Sequence, residues 1–110
     1  MSLSEDQIEQ SIQGKNLNAP RLNPTHIDSV IVQDLYWIVP HTTTTVCALV
    51  LKNGFVVIGE SSSASPENFD EELGKQIAND RARAKIWPLE GYLLRQELFE
   101  ESEEAGETEA

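Results

Sequence analysis

The sequence predicts an α+β fold: a three-stranded antiparallel β-meander packed by a long C-terminal helix plus a short final helix, with a weak N-terminal helix. Three observations support it. Runs rich in β-branched and aromatic residues occupy 31–39, 44–52 and 55–61 and predict strands. The dipeptide Asn53-Gly54 joins the last two runs and is typical of tight hairpins. Apolar residues then recur at helical spacing through most of the remaining chain.

The first predicted element is a helix over residues 4–13. Ser4 can cap its start, and Gln7 three residues later completes a capping-box pattern. Only Ile8 and Ile12 are apolar, so we expect this helix to be loosely docked.

An irregular linker is predicted over residues 14–24, which hold two prolines, three asparagines and one glycine. A single helical turn should follow, from Pro24 to Val30, before the first strand. These segments suggest three parts: an N-terminal helix and linker (1–24), one α+β domain (25–99) and an acidic tail (100–110).

The hairpin predicts the register of the sheet. A two-residue type I′ turn needs positive φ at both Asn53 and Gly54, and it would set Leu49 opposite Ile58. Both faces of the hairpin are then apolar, and a sheet this small cannot leave both in water. We expect helices on one face. On the other we expect the N-terminal segment, the final helix folded back, a second copy in a homodimer, or a partner.

The C-terminal helices are predicted from a start signal and a break. Ser65 can cap the long helix, with Pro66 at its first position. Phe69 opens its apolar side, and Gly74 keeps one edge thin, which suggests close approach to the sheet. Pro88 is expected to end this helix and to start the short final one.

Composition and charge limit the setting of the protein. The net charge is −11, and the last eleven residues contain six glutamates and no basic residue. We expect residues 100–110 to be disordered, serving either solubility or competition for a basic partner surface. The single cysteine, Cys47, excludes an internal disulfide and fits a reducing compartment. With neither a signal-peptide pattern nor a long apolar run at hand, we expect a cytoplasmic protein without membrane contact.

Two groups of residues are candidates for binding a partner or ligand. Tyr36, Trp37 and His41 form a polar-aromatic cluster suited to ligand stacking or to a protein interface, or simply to packing at an edge strand. Arg81 and Lys85 are four apart and share a helix face. They could bind phosphate, or form a solvated face that pairs with nearby acids.

Other functions find little support in the residues. The histidines have no spaced partners for a metal, no cofactor motif is present, and we expect no enzyme. The αβββα order is shared with double-stranded RNA-binding domains, which carry basic residues where the long helix starts. Here that start is acidic, so direct nucleic-acid binding is not expected.

Several strings together resemble one family of small tailed-phage proteins of unknown function, named after gene product forty-nine of one phage and gene sixty-six of another. The resemblance spans roughly residues 32–98. It rests on Asn53-Gly54-Phe55, Gly59-Glu60-Ser61, Asn68-Phe69, Gly74, Ile77-Ala78 and Trp87-Pro88-Leu89-Glu90-Gly91-Tyr92. We interpret these residues as structural, with the last string forming a helix corner. The resemblance implies a phage origin, a life in the host cytoplasm and no recognised enzyme chemistry.

Three functions remain open from the sequence. The first is an accessory protein that binds and modulates a host protein, in host takeover or anti-defence. The second is a binder or sponge of a small nucleotide signal, using Arg81, Lys85 and an aromatic platform. The third is a minor virion or assembly component.

Overall fold

The predicted α+β fold is confirmed by a computed structural model, which describes residues 4–17 and 19–106. The sheet is antiparallel with strand order β1-β2-β3. The elements run α1 (Glu5–Gly14), α2 (Pro24–Val30), β1 (Ile31–Ile38), β2 (Thr44–Leu51), β3 (Val56–Ser62), a 3₁₀ turn (Pro66–Asn68) and α3 (Glu71–Gly106).

Helix α1 folds as its capping pattern predicts. The Ser4 hydroxyl accepts a hydrogen bond from the Gln7 backbone N–H, and the Gln7 side chain accepts one from the Ser4 N–H. No residue of α1 is buried. The short helix α2 is capped by Asn23, begins with Pro24 and buries Ile27 and Val30, as its apolar spacing indicated.

The core lies between one face of the sheet and α3. Strand β2 alternates between buried and half-buried residues, as a strand with one covered face must. Helix α3 meets it with residues four apart, and α2 closes one end. The buried apolar residues are Ile27, Val30, Cys47, Leu49, Leu51, Val57, Ala78, Ala82 and Ile86.

The predicted hairpin turn is wrong in detail. Of the two predicted turn residues, only Gly54 has positive φ, at 90°, and its backbone N–H donates to the carbonyl of Leu51 at 2.8 Å. The Leu51 N–H in turn donates to the carbonyl of Phe55 at 2.8 Å. This is a three-residue loop that ends in a left-handed glycine, and it shifts the register by one residue relative to a type I′ turn.

This shift changes which residues of β3 face the core. Leu49 lies opposite Val57, not Ile58, and Cys47 opposite Gly59. Since side chains alternate along a strand, a slip of one residue moves every side chain of β3 to the other face. Val57 is therefore buried against α3, while Ile58 points outward.

The long helix begins later than the sequence suggested. Ser65 makes no capping hydrogen bond and precedes only the 3₁₀ turn. The side chain of Asp70 instead accepts from the Leu73 N–H at 3.1 Å, which caps the start of α3.

Pro88 does not end the helix, contrary to our expectation. Helix α3 passes through it and stays continuous to Gly106. Proline removes one helical hydrogen bond, but the helix is held on both sides: Ile86 is fully buried, and Glu90 contacts His26 of α2 at 2.8 Å. Residues 89–106 accordingly continue α3 instead of forming a separate final helix, and they do not fold back over the sheet.

The predicted disordered tail begins as helix. Residues 100–106 form the last turns of α3, because once a helix is nucleated each further residue adds a hydrogen bond. The last four residues of that tail, 107–110, lie outside the described residues. The other predicted domain boundaries stay predictions.

The molecule is elongated because α3 extends past the sheet. Its principal extents are 64 × 33 × 21 Å and its radius of gyration is 18.1 Å. A compact domain of this length has a radius of gyration of about 13 Å. Much of α3 beyond Pro88 therefore projects from the packed body.

Candidate functional site

The structure separates the predicted aromatic cluster. Tyr36 and Trp37 are neighbours in a strand, so their side chains point to opposite faces of the sheet. The Tyr36 hydroxyl faces α3 and accepts from the Asn79 amide at 2.9 Å; its burial raises the pKa of Tyr36 above the ordinary value. Trp37 is 59% exposed on the other face. His41 lies in the β1–β2 turn with φ 64°, so the three do not form one site.

The predicted basic pair lies on the solvent side of α3. Arg81 and Lys85 are both exposed, and an Arg81 N–H donates to the backbone carbonyl of Glu60 at 2.9 Å. The basic group near Tyr36 is Lys75 instead, 6.0 Å from the ring centre. The basic group beside Tyr36 is thus neither Arg81 nor Lys85, and the expectation that this pair binds a nucleotide together with an aromatic platform stays a prediction.

Most of the residues interpreted as structural do support the fold. Asn53 accepts from the Phe55 N–H at 3.0 Å and so closes the hairpin loop. Gly74 lies against Thr45: a β-carbon there would stand 2.9 Å from the Thr45 hydroxyl. Phe69 is half-buried after the 3₁₀ turn.

Gly91 is an exception, because close backbone approach does not explain it. A β-carbon at Gly91 would meet only a methyl group of Leu22, at 3.8 Å, which is an ordinary contact. The interpretation of Gly91 as a structural residue therefore finds no support in its contacts.

One face of the sheet is apolar and faces away from α3. We call it the outer sheet face. Trp37 is its most exposed aromatic residue, and Ile58 is 42% exposed there. By the strand register, the face comprises Gln33, Leu35 and Trp37 of β1, Val46, Ala48 and Val50 of β2, and Val56, Ile58 and Glu60 of β3.

The outer sheet face has no charged residue except Glu60 at one edge. Its apolar side chains span all three strands, and helices α1 and α2 pack elsewhere, against α3. A contiguous exposed apolar patch of this kind marks an interaction surface more often than chance exposure does. The sequence predicted an uncovered sheet face, but the predicted register set Ile58 opposite Leu49, on the face that α3 covers in the structure.

A second feature is an apolar cavity of about 520 Å³ between the β2–β3 hairpin and α3, which we call the hairpin–helix pocket. Two of the strings that resemble the phage family meet there. Its walls are Val30, Leu51, Lys52, Asn53, Phe55, Pro88, Leu89, Glu90, Tyr92 and Leu93. The volume lies within the range typical of small-molecule sites.

The composition of the pocket suits binding more than catalysis. Phe55 and Tyr92 provide two exposed aromatic rings, and Lys52 is the one cation in its lining. The sequence did contain a signal for this pocket, because both strings carry the family resemblance. We interpreted them as a hairpin turn and a helix corner. Because Pro88 sits within a continuous helix, its neighbours face the hairpin instead.

A polar cluster around Arg83 fastens α1 and α2 to α3. Arg83 contacts the Glu5 carboxylate at 2.8 Å and that of Asp28 at 2.6 Å, and the Trp87 indole N–H donates to Glu5 at 3.0 Å. Burial alone would lower the pKa of Arg83, but the hydrogen bonds that Arg83 donates to Asp28 and Glu5 outweigh it and raise that pKa. The N-terminal helix is thus docked through charged groups, which its thin apolar stripe could not indicate.

The described residues contain neither a metal-ligand cluster nor a helix that could span a membrane. Among residues 4–17 and 19–106, no three or more His, Cys, Asp or Glu side chains come together as a metal site. In the same residues, no helix combines the length and apolar character that crossing a membrane requires.

The fold defines a small α+β protein in which a β-meander packs on one long helix. The chain belongs to the phage protein family of N4 Gp49 and phage Sf6 gene 66, whose family model matches residues 22–98. It is therefore a phage protein, as the resemblance implied. No curated protein and no solved structure matches the chain.

Proposed function

We propose that this phage protein is a non-enzymatic accessory protein that works in the host cytoplasm by binding and modulating a host protein, in host takeover or anti-defence. The observation that carries the proposal is the outer sheet face, with Trp37 59% exposed among other apolar side chains. Tryptophan is the residue type most enriched at the energetic centres of protein interfaces.

Charge supports a particular kind of partner. The outer sheet face is apolar, while the chain as a whole carries a net charge of −11. A partner with an apolar patch and a basic rim would gain from both features, because opposite charges around an interface accelerate association. The proposed partner is therefore a basic host protein surface.

The test compares two matched variants in a direct binding experiment. Trp37→Ser together with Ile58→Ser removes the centre of the outer sheet face, and Leu73→Ser removes an exposed apolar residue of α3 on the other side of the sheet. Host proteins captured from infected cells would be purified and titrated against each form. We expect the double variant to lose binding to the captured protein and Leu73→Ser to keep it. The role of this face would be refuted if the captured protein bound all forms equally, or if no captured protein bound the chain once purified.

A second candidate is a binder of a small nucleotide signal, and the hairpin–helix pocket favours it. Phe55 and Tyr92 offer rings for stacking on a base, and Lys52 lies in the lining. Lys85 is exposed on α3, one turn before Leu89, at the same side as the pocket mouth. A melting-temperature screen with a nucleotide panel tests this, because a ligand of the folded state must stabilise it. The stabilisation should vanish in Phe55→Ser, and no shift with any nucleotide would exclude the candidate.

A further inference from the structure

The projecting part of α3 carries a stripe of exposed side chains along one side. The sheet buries one side of α3, at residues 74, 78, 82 and 86. The stripe lies on a neighbouring side of the helix and continues beyond the part of α3 that packs on the sheet. Tyr92 is 72% exposed and Phe99 49%. We call this the α3 stripe, formed by Arg81, Lys85, Pro88, Tyr92, Gln96, Phe99 and Glu103, which are all exposed.

The stripe has the spacing of a helix-pairing surface. Its members follow one another at intervals of three and four residues, which keeps them on one side of an α-helix. Leu89 and Leu93 flank it and are also exposed. A projecting helix of this length is only marginally stable alone in water and gains most of its stability from packing.

Charge along the stripe is antisymmetric about Tyr92. Arg81 lies eleven residues before Tyr92 and Glu103 eleven residues after it. Lys85 lies seven residues before Tyr92, and Glu100, which flanks the stripe, lies eight after it. At 1.5 Å per residue, the basic and acidic ends are each roughly 10–17 Å from Tyr92 along the helix axis.

The charge at the end of α3 adds a second argument. The last turn has no basic residue, and its glutamates lie where the negative end of the helix dipole makes negative charge unfavourable. Basic side chains placed beside them would relieve this. Two copies of the chain, running antiparallel and crossing at Tyr92, supply those side chains, because each acidic end then lies along the Arg81–Lys85 segment of the other copy.

We propose that the chain forms a two-fold symmetric homodimer through antiparallel pairing of its α3 stripes, with Tyr92 at the crossing point and Arg81 of each copy beside Glu103 of the other. This goes beyond the proposed function and does not depend on it. The sequence left open a homodimer that buries the uncovered face of the sheet. The dimer proposed here is different, because it leaves the outer sheet face open. The partner helix also lies next to Leu93 and Tyr92, at the mouth of the hairpin–helix pocket.

A charge exchange tests the register. Arg81→Glu or Glu103→Arg alone places like charges together at two symmetry-related contacts, and should weaken dimerisation at least about tenfold. The double variant Arg81→Glu with Glu103→Arg restores opposite charges and should recover the affinity. Glu97→Arg is the matched control, since Glu97 is also exposed but lies on another side of α3. The readout is sedimentation equilibrium of the full chain at several concentrations and salt levels.

A cross-link provides a second measurement at the crossing point. A residue on the two-fold axis lies opposite itself, so Tyr92→Cys should form a disulfide-linked dimer on mild oxidation. Glu97→Cys should not, and the native Cys47 is fully buried. A parent chain that stays monomeric at about 100 μM, a double charge variant no better than the singles, or equal cross-linking of the two cysteine variants would each overturn the proposal.

Discussion

Gly59 lies directly against the backbone of Ala82. A β-carbon at Gly59 would stand 2.2 Å from the Ala82 nitrogen and 2.3 Å from the Ala78 carbonyl oxygen. Both atoms belong to α3, so strand β3 and the helix are as close as their backbones allow. This contact, made by three small residues, holds the sheet at its distance from the helix.

Replacing Gly59 by alanine should therefore strongly destabilise the fold. The neighbouring atoms are helical backbone and cannot turn away, so the strand and α3 must separate. We expect a loss of at least about 2 kcal/mol in unfolding free energy, roughly 8 °C in melting temperature. Gly14→Ala is the control, because nothing lies within 4 Å of a β-carbon there. Equal melting temperatures for the two variants would contradict the close contact.

The hairpin loop gives a prediction about backbone conformation alone. Gly54 has φ 90° and open space around its β-carbon position. Gly54→Val should cost about 1–2 kcal/mol, because a β-branched residue resists positive φ. Gly54→Asn should cost clearly less, since asparagine tolerates this region. If the melting temperature of Gly54→Val lies within a degree of the parent's, the left-handed conformation of Gly54 is refuted.

Docking of the N-terminal helix should depend on Glu5. Its carboxylate accepts from both Arg83 and the indole of Trp87. Glu5→Gln should lower stability by about 1–2 kcal/mol, because a hydrogen-bonded charge pair is broken, and should change Trp87 fluorescence. Asp6→Asn, in the same helical turn but exposed, should change neither. A Glu5→Gln spectrum identical to the parent would show that Trp87 is fixed by other contacts.

Acid should loosen the same helix through Glu9. Hydrogen bonds from Arg21, and secondarily from Gln13, hold the pKa of Glu9 below its ordinary value. A lowered carboxyl pKa contributes stability above the unfolded-state value, which is lost as the pH falls through the folded-state value. Glu9→Gln should thus melt below the parent at neutral pH, and the two curves should converge in acid. A difference that persists unchanged at low pH would contradict this.

Deletion of residues 100–110 should remove helical signal without unfolding the core. Residues 100–104 are helical and exposed, so the circular dichroism should lose amplitude while the melting temperature of dilute protein changes by only a degree or two. An unchanged helical signal would favour a disordered tail. A large loss of stability would instead show that the tail packs on the body.

Local chemistry was enough to predict the elements of this fold. The Ser4 capping box, Pro24 at a helix start and the β-branched runs identify α1, α2 and three strands, because each signal is satisfied within a few residues. Asn53-Gly54 identified a hairpin but fits two loop lengths, and the choice between them depends on the hydrogen bonds that Leu51 donates to Phe55 and accepts from Gly54, which no short pattern specifies. The register of β3 followed that choice.

The surfaces were harder to predict because they depend on long-range contacts. Proline ends most helices, but Ile86 and Glu90 hold the chain on either side of Pro88. Only that continuity brings Tyr92 towards Phe55. Likewise, the outer sheet face gains Ile58 and loses Val57 through a slip of one residue. The candidate sites therefore follow from tertiary structure, whereas most of the fold follows from the sequence.

The extension of α3 past the sheet affects how the protein moves through solution. A particle 64 Å long and 21 Å thick experiences more friction than a sphere of equal mass. Its elution from a sizing column will report a larger protein than a single chain, even when no pairing occurs. Mass must therefore be obtained from light scattering or equilibrium sedimentation, where friction has no influence.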